Sequence, residues 1–395
     1  MSFGMVGFAL PLYAVRLGLN LTEVGLLASI NLAAALLFKP VMGRLADHYG
    51  LKRALVAALG LRSLVALLLM FAGTAWQLYA IRSMLGLSQA LRDPPVNALV
   101  AETGGTKAVA SAFAWYATAK SVAGSIGAAV AGVVLSISGS SFSLVFGLGF
   151  VLSVLPVYAV VRWVTEGIRP EPVAERAIAD DHVAADATPP TPRIAAFVGL
   201  GFMVSGTAQM LRGLLPVLAI EYGGLSEAQA GLVYLVSAVA VLGAGPVFGW
   251  VSDTVSQRLV FMVRSVANTV SSIIFLIAPH AAGFAIAKTI DDLGKAAFRP
   301  AWGALMADAA RLDPARRART MGLMGMGEDA GELAGPVVAG FIWTTWGIPA
   351  VLGARVVLAL GTEVYAALAT RSFGGGTARV DNAVGTPDAP PDLDL

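Results

Sequence analysis

Residues 40–53 read PVMGRLADHYGLKR, and residues 246–258 read PVFGWVSDTVSQR. Each stretch follows a long apolar run and carries proline, glycine and aspartate at the same three places. The separation is 206 residues, since 246 − 40 and 253 − 47 give the same value. The same offset aligns PPVNALVAE at 94–102 with PAWGALMAD at 300–308. One offset shared by separate segments predicts an internal duplication, in which two similar halves follow each other along the chain.

The composition places most of this chain in lipid. Hydrophobic residues make up 57% of it and charged residues 13%, whereas a soluble globular chain carries about 25% charged residues. Backbone groups inside a bilayer must pair with one another, which restricts spanning segments to helices or a closed barrel. The apolar runs are far longer than the ~10-residue alternating segments of a barrel. The sequence therefore predicts an all-α membrane protein with twelve transmembrane helices, arranged as two pseudo-symmetric six-helix bundles.

Polar stretches divide the chain into domains. We expect an N-terminal six-helix bundle over 1–164, a cytoplasmic linker over 165–192, a C-terminal six-helix bundle over 193–371 and a disordered cytoplasmic tail over 372–395. In the repeat alignment the first span is shorter than the seventh by two to three turns, so either the first helix is incomplete or the chain begins upstream of Met1. The predicted spans lie at 1–17, 22–42, 54–73, 75–97, 109–136, 141–163, 194–220, 228–248, 259–278, 282–305, 320–343 and 347–370.

The basic residues predict the orientation of the spans. They gather in the connections after even-numbered spans, such as Arg44, Lys52 and Arg53 after span 2, whereas the alternate connections carry almost no charge. Because basic loops stay in the cytoplasm, we expect both termini there. The chain is then a multi-pass protein of the plasma (inner) membrane.

Several classes of function lack the residues that they need. The chain has no cysteine, and its three histidines, His48, His182 and His280, lie far apart. We therefore expect no metal site, no cofactor and no thiol chemistry. The sequence contains no P-loop and no nucleophile–base pair at a useful spacing, so we expect no enzyme activity. Basic loops account for the net charge of +2, and we expect no nucleic-acid partner. The expected partners are the lipid bilayer and a small-molecule substrate, and the expected state is a monomer.

A family resemblance lies in the connection after span 2. Its sequence resembles the signature Gly-x-Leu-x-Asp-Arg-x-Gly-Arg-Lys/Arg of the major facilitator superfamily, with His48 and Leu51 in place of two arginines. A degenerate copy follows span 8. The resemblance implies the fold of that family, with a substrate site between the halves, and a latch that holds the cytoplasmic side closed. The latch residues that it implies are Gly43, Asp47, Gly50, Lys52, Arg53 and Asp253.

The residues of this latch also have a simpler interpretation. Gly43 and Gly50 allow the backbone to turn tightly, and Asp47, which we place in the loop, can accept hydrogen bonds at a neighbouring helix N-terminus. Alternatively, these charges only anchor the loop and set the topology.

Charged residues inside predicted spans are further candidates, because a charge near the bilayer centre costs about 2.5–3.5 kcal/mol. Span 10 carries two i,i+4 pairs, Lys288 with Asp292 and Asp291 with Lys295, which either pair along one helix or contact substrate. Lys288 lies nearer the outer surface, where its side chain can snorkel. Arg82 in span 4 resembles the intramembrane arginine of proton-coupled antiporters.

Span 11 carries three acids, Glu328, Asp329 and Glu332, with no basic residue in the same stretch. Glu328 and Glu332 lie one turn apart, and close carboxylates in a low dielectric favour protonation of one of them. Proton coupling needs such a group; pairing with lysines of another helix is the alternative. Lys120 in span 5 can complement an anionic substrate or pair with an acid of the other half. Arg212 in span 7 lies on a helix that lines the cavity in the resembled family.

The remaining charges and small residues are interpreted as structural. Arg62, Arg355 and Glu363 lie on spans that the resembled family places outside the cavity. Small residues recur every four positions in spans 5 and 11, which lets helices approach closely. The packing residues are Gly124, Gly132, Gly327, Gly331, Gly335 and Pro336.

These observations favour a secondary transporter that moves a small organic solute by alternating access. We expect protons as the coupling ion and export as the direction. Proton-coupled uptake of a small metabolite is the alternative within transport. A non-transporting scaffold or receptor on the same fold is the alternative from another class, and the charges inside the spans argue against it.

Overall fold

A computed structural model of the chain describes residues 1–104, 109–164, 192–254, 257–311 and 317–371. Within these ranges the chain forms helices joined by short connections, with no strand. The helices are α1 (Ser2–Arg16), α2 (Leu21–Tyr49), α3 (Leu51–Phe71), α4 (Ala75–Gly104), α5 (Val109–Ile137), α6 (Phe142–Trp163), α7 (Pro192–Gln209), α8 (Glu227–Thr254), α9 (Gln257–Ile277), α10 (Ala281–Arg311), α11 (Arg317–Trp346) and α12 (Ile348–Arg371). The predicted tail, and the predicted linker apart from Pro192, lie outside the described residues.

Hydropathy alone would find fewer spans than the fold contains. Among the described residues, six helices are long and apolar enough to cross a membrane, namely α2, α3, α5, α6, α8 and α12 or parts of them. The apolar parts of α1, α7 and α9 are shorter, between 10 and 17 residues. Helices α4, α10 and α11 carry the charged residues discussed above, which lower their hydropathy.

Helix α7 is interrupted, where the sequence predicted one continuous span over 194–220. It ends at Gln209, the chain turns through residues 210–214, and a helical turn at Leu215–Val217 continues into a π-helix at Leu218–Tyr222. Gly213 adopts a φ of +77° in the turn, a conformation that favours glycine. Pro216 has no backbone N–H to donate to a preceding turn. These two residues explain why the helix does not run on.

Helix α2 extends beyond its apolar part and corrects two expectations about the connection to α3. Gly43 and Asp47 lie within the helix, not in a loop, and the turn occurs at Gly50 alone, with a φ of +89°. The polar residues after Met42 continue the helix because nothing before Gly50 breaks it. The side chains of Asp47 and Asp253 lie outside the described residues, so their part in the predicted latch is not described.

Small residues allow the close helix contacts of both halves. On α11, Gly327, Gly331 and Gly335 face the backbone of α7, and a Cβ placed on Gly335 would lie 2.5 Å from the carbonyl oxygen of Gly206. On α5, Gly124 faces Gly4 of α1. A Cβ on any of the three α11 glycines, or on Gly4, would collide with backbone, which cannot move aside as a flexible side chain can, whereas a Cβ on Gly124 has open space.

The apolar core is shared between the halves at only one end of the bundle. Where α1 joins α2, one cluster contains Phe8 and Val24 of the N-terminal half together with Met210 and Trp343 of the C-terminal half. At the opposite end, the described residues form two separate clusters, one in each half. The N-terminal cluster consists of Ala46, Ala54, Ala58 and Leu91. The C-terminal cluster consists of Phe197, Leu200, Val204, Phe298, Trp302 and Met324.

Candidate functional site

Helices α2 and α11 meet directly across the boundary between the halves. The hydroxyl of Ser29 donates to the carbonyl oxygen of Leu333 at 2.7 Å, and the hydroxyls of Thr22 and Thr344 lie 3.1 Å apart. Gly25 lies against the carbonyl group of Pro336, which a Cβ at this position would overlap. These contacts bring the two halves together where α1 joins α2, and we name this end the closed end.

A second contact at the closed end joins α5 with α8. Gly132 and Gly231 pack against each other, so that a Cβ on Gly132 would lie 3.0 Å from the Cα of Gly231. The hydroxyl of Ser140 donates to Glu227 at 2.7 Å, and Arg16 donates to the carbonyl oxygen of Ser140 at 2.8 Å. The α2–α11 and α5–α8 contacts both cross the boundary between the halves. Together they join the halves at this end.

The interruption of α7 carries an ion pair. Arg212 lies in the turn and its Nη1 donates to Oε2 of Glu332 on α11 at 3.0 Å, while Gln209 donates to Oε1 at 3.1 Å. The side chains of Arg212 and Glu332 are 37% and 17% exposed. For Glu332 the partner is thus an arginine of the turn after α7, in place of the lysine of another helix that the alternative predicted. Glu328, one turn away, accepts a hydrogen bond from Trp302 at 3.0 Å.

Arg82 faces this ion pair from the N-terminal half. Its Nε donates to the carbonyl oxygen of Leu27 on α2 at 3.2 Å. Its Nη1 is buried and has no hydrogen-bond partner in the part of the chain that the structure describes. The guanidinium groups of Arg82 and Arg212 are close enough to repel each other. The two halves therefore present one arginine each to the same region.

Helix α10 carries a network of buried charges in the C-terminal half. Both predicted i,i+4 pairs form, Lys288 with Asp292, and Lys295 with Asp291 at 2.7 Å. Asp292 also accepts from Ser237 of α8. Lys288 is buried against its partner, with 8% of its surface exposed, so the expectation that it snorkels to the outer surface is wrong. The pairing along the helix removes the need for its charge to reach water.

Two arginines extend this network, and sequence reasoning did not connect them to it. Arg264 of α9 lies 3.5 Å from Asp291, and Arg355 of α12 also pairs with Asp291. Both arginines are almost fully buried. Their positions on α9 and α12 gave no signal, because a pair between helices leaves no fixed spacing in the sequence.

Three other predicted residues lie on α5, α11 and α3. Lys120 is exposed on α5. Asp329 lies near Lys39 of α2 and near Glu332. The guanidinium group of Arg62 lies over the ring of Phe3, 5.4 Å from its centre, which fits the structural interpretation of this arginine.

Comparison with known proteins identifies the family. The family model described as Major Facilitator Superfamily matches residues 1–198 and 197–374. The chain belongs to the Major Facilitator Superfamily. The two matches correspond to the two halves of the duplication. As a member of the Major Facilitator Superfamily the chain is a multi-pass membrane transporter of a small solute and not an enzyme.

Solved transporter structures share the fold over nearly the whole chain. A variant of the nucleoside transporter NupG has a TM-score of 0.72 at 16% identity and covers 92% of this chain and 96% of that chain. A bacterial homologue of the human lysosomal transporter Spinster, in an inward-facing and occupied conformation, has a TM-score of 0.71 at 15% identity, with coverage of 95% and 94%. At these identities the likeness concerns the fold alone.

Curated relatives match over a shorter stretch. The multidrug resistance proteins MdtG of Salmonella arizonae and Salmonella newport are 33% identical to this chain over 101 residues. The alignment covers 25% of this chain, and the chain spans about a quarter of the length of these relatives.

Proposed function

We propose that this transporter exports a small organic solute across the bacterial inner membrane in exchange for protons, by alternating access. The observation that carries the proposal is the ion pair of Arg212 with Glu332 at the interruption of α7. Irregular backbone at membrane depth occurs where it is buried in protein or lines a cavity. An ionisable group inside the membrane is a functional candidate by default. Here the carboxylate of Glu332 binds Arg212, which lies in the interruption itself.

The contacts at the closed end support alternating access. The basic residues after even-numbered spans place the opposite end in the cytoplasm, together with both termini, so the closed end faces outward. The described contacts of α2 with α11 and of α5 with α8 are then those of the outer end. Transport requires the α2–α11 and α5–α8 contacts to separate while the opposite end closes, and the glycines at these contacts let the helices part without side chains interlocking.

Glu332 is our candidate for the coupling proton. While Glu332 is ionised, Arg212 and Gln209 donate hydrogen bonds to its carboxylate and tie α11 to the end of α7. Protonation removes its charge and weakens the ion pair, which frees Arg212 for another partner. Glu328 and Asp329 remain further proton candidates, and the partly exposed Asp292 and Lys295 of α10 remain candidates for substrate contact or gating. The latch at Asp47, with Gly50, Lys52, Arg53 and Asp253, is proposed to hold the cytoplasmic end closed in the other state.

Export is favoured over uptake by the similarity to the MdtG proteins, whose name describes multidrug resistance. The test is flux in proteoliposomes containing the purified chain, screened with a panel of small organic solutes under an imposed pH gradient. We expect solute to move against the proton flow, and only while the gradient lasts. Movement of solute and protons in the same direction would favour the uptake alternative. A complete lack of flux across a broad panel would favour the scaffold or receptor alternative.

A further inference from the structure

Arg82 and Arg212 lie near each other beside the acidic stretch of α11, which carries Glu328, Asp329 and Glu332. One guanidinium group comes from each half, and the described ion pair in this region uses a single carboxylate, Glu332. Two like charges near each other repel, and a negative charge that both arginines contact would offset this repulsion. Glu332 contacts Arg212, but the structure gives Arg82 only the carbonyl oxygen of Leu27.

The guanidinium group of Arg82 has a buried N–H donor, at Nη1, without a hydrogen-bond acceptor among the described residues. A guanidinium group has five N–H donors and no acceptor, and a buried donor of a charged group without a partner costs more than a neutral one. Because the great majority of buried polar groups in proteins are hydrogen-bonded, the orphaned Nη1 of Arg82 indicates a partner that the described part of the chain does not supply.

Arg212 is accessible to the same partner. Its side chain is 37% exposed, whereas Arg355, the structural arginine of the α10 network, is fully buried. Arg212 also lies on non-helical backbone next to Gly213, and Gly213 packs against Ala28 of α2. The interruption of α7 therefore places a charged, reachable residue next to the N-terminal half.

We propose that Arg82 and Arg212 together bind an acidic group of the transported solute, a carboxylate or a phosphonate, so that the substrates are organic anions. This inference rests on the proposed transport function and specifies its substrate class. Arginine binds carboxylate and phosphate-like groups through paired hydrogen bonds. Glu332 then competes with the solute for Arg212. A cationic solute would meet two like charges, which disfavours it in the same place.

The test uses four ligands of similar shape and different charge: benzoate, phenylphosphonate, neutral benzamide and cationic benzamidine. Binding to the purified full-length chain in detergent is measured by calorimetry, with chloride and inorganic phosphate at equal ionic strength as controls for a site that takes any anion. We expect the two acids to bind at least tenfold more tightly than benzamide and benzamidine. Binding of inorganic anions as tight as that of the organic acids would contradict an organic substrate.

Four variants locate the binding site. Arg82→Gln and Arg212→Gln should each weaken acid binding roughly ten- to hundredfold, the range expected for loss of a charge-assisted hydrogen bond. Arg62→Gln, which alters a half-buried arginine elsewhere in the N-terminal half, should leave acid binding unchanged. Glu332→Gln removes the competitor and should tighten acid binding. Because a folding defect cannot produce tighter binding, this last variant decides the matter even if an arginine variant is unstable.

Other outcomes overturn the inference. These are no binding of either acid at millimolar concentration, equal binding of benzamidine, acid binding unchanged in both arginine variants, or weaker acid binding in Glu332→Gln. The result is separable from the transport proposal. Acid binding without any flux driven by a pH gradient would support the anion site and would contradict proton coupling. Gradient-driven flux of a cation without acid binding would support proton coupling and would overturn the anion site.

Discussion

Asp291 of α10 pairs with Arg355 of α12, and both side chains are buried, at 3% and 0% exposed. Lys295 and Arg264 contact the same carboxylate from two other directions. One aspartate thus compensates the charge of groups on three helices, α9, α10 and α12. This arrangement is the clearest structural use of charge in the C-terminal half, and it lies behind the face that carries Asp292 and Lys295.

Replacing this aspartate should destabilise the protein strongly. Asp291→Asn leaves buried cations without their counter-ion, and breaking a buried ion pair in this way costs about 3–5 kcal/mol. We expect a large fall in melting temperature, measured by tryptophan fluorescence in detergent. Lys295→Met removes a partner that is 36% exposed and should cost only about 1 kcal/mol or less. Equal effects of the two variants would contradict the central role of Asp291.

Replacing Glu332 should separate coupling from substrate movement. Glu332→Gln cannot release a proton, so pH-gradient-driven flux should fall at least tenfold while solute exchange at equal pH persists. Glu328→Gln is the matched comparison, because Glu328 accepts from Trp302 and is not the acid paired with Arg212. We expect it to keep driven flux, and loss of driven flux in Glu328→Gln alone would assign the proton to Glu328. Normal coupling in Glu332→Gln would assign the proton to another group.

A crosslink at the closed end should stop transport. The chain contains no cysteine, so the double variant Thr22→Cys with Thr344→Cys introduces the only thiols, at positions whose hydroxyls lie 3.1 Å apart. We expect oxidation to join α2 to α11 and to reduce flux below a tenth, and reduction to restore it. Thr22→Cys with Thr345→Cys is the control pair and should crosslink poorly. Full transport by the crosslinked protein would show that this end need not open.

Two glycines at the α2–α3 connection should respond to alanine in opposite ways. Gly50 has a φ of +89° and a ψ of 146°, a region almost restricted to glycine, so Gly50→Ala should cost about 1–3 kcal/mol. Gly43 lies inside α2 with open space around an added Cβ, so Gly43→Ala should stabilise the helix by up to ~1 kcal/mol. Melting temperatures of the two variants measure both effects. A loss of stability in Gly43→Ala would point to a contact with the predicted latch.

Topology can be tested independently of transport. A reporter enzyme that is active only in the periplasm, fused after Arg371, should be inactive, and a reporter active in the cytoplasm should be active. A fusion in the connection between α1 and α2, at Gly18, should give the opposite result. Periplasmic activity after Arg371 would reverse the orientation and would place the closed end inside.

The helices and their duplication were predictable from the sequence because apolar length and a single offset are properties of the chain itself. The pairs on α10 were predictable for the same reason, since i,i+4 spacing fixes neighbours on one helix. The partners of Asp291 on α9 and α12 were not, because helix packing decides which buried charges meet. The pairing of Arg212 with Glu332 was missed likewise, since it depends on the turn at Gly213.

Hydropathy predicted the ends of some helices incorrectly. Hydropathy placed the end of span 2 near Met42, where the apolar residues stop, but α2 continues to Tyr49. Lipid thickness limits the apolar part of a helix and not the helix itself. Conversely, the interruption after α7 carries a single charged residue, Arg212, among apolar ones, so the apolar run over 194–220 predicted one continuous span and gave no sign of the turn.

The unequal placement of the apolar core has a consequence for the empty carrier. Opening the closed end separates Phe8 and Val24 from Met210 and Trp343, whereas the described residues at the opposite end already pack within their own halves. In the proposed orientation this end is the outer one, so the empty molecule should be receptive from outside only for the fraction of time in which these contacts are separated. Apparent affinity falls in proportion to the receptive fraction. A solute offered from outside should thus bind more weakly than the same solute offered from inside, even when it touches identical side chains, and this sidedness would itself favour one direction of travel.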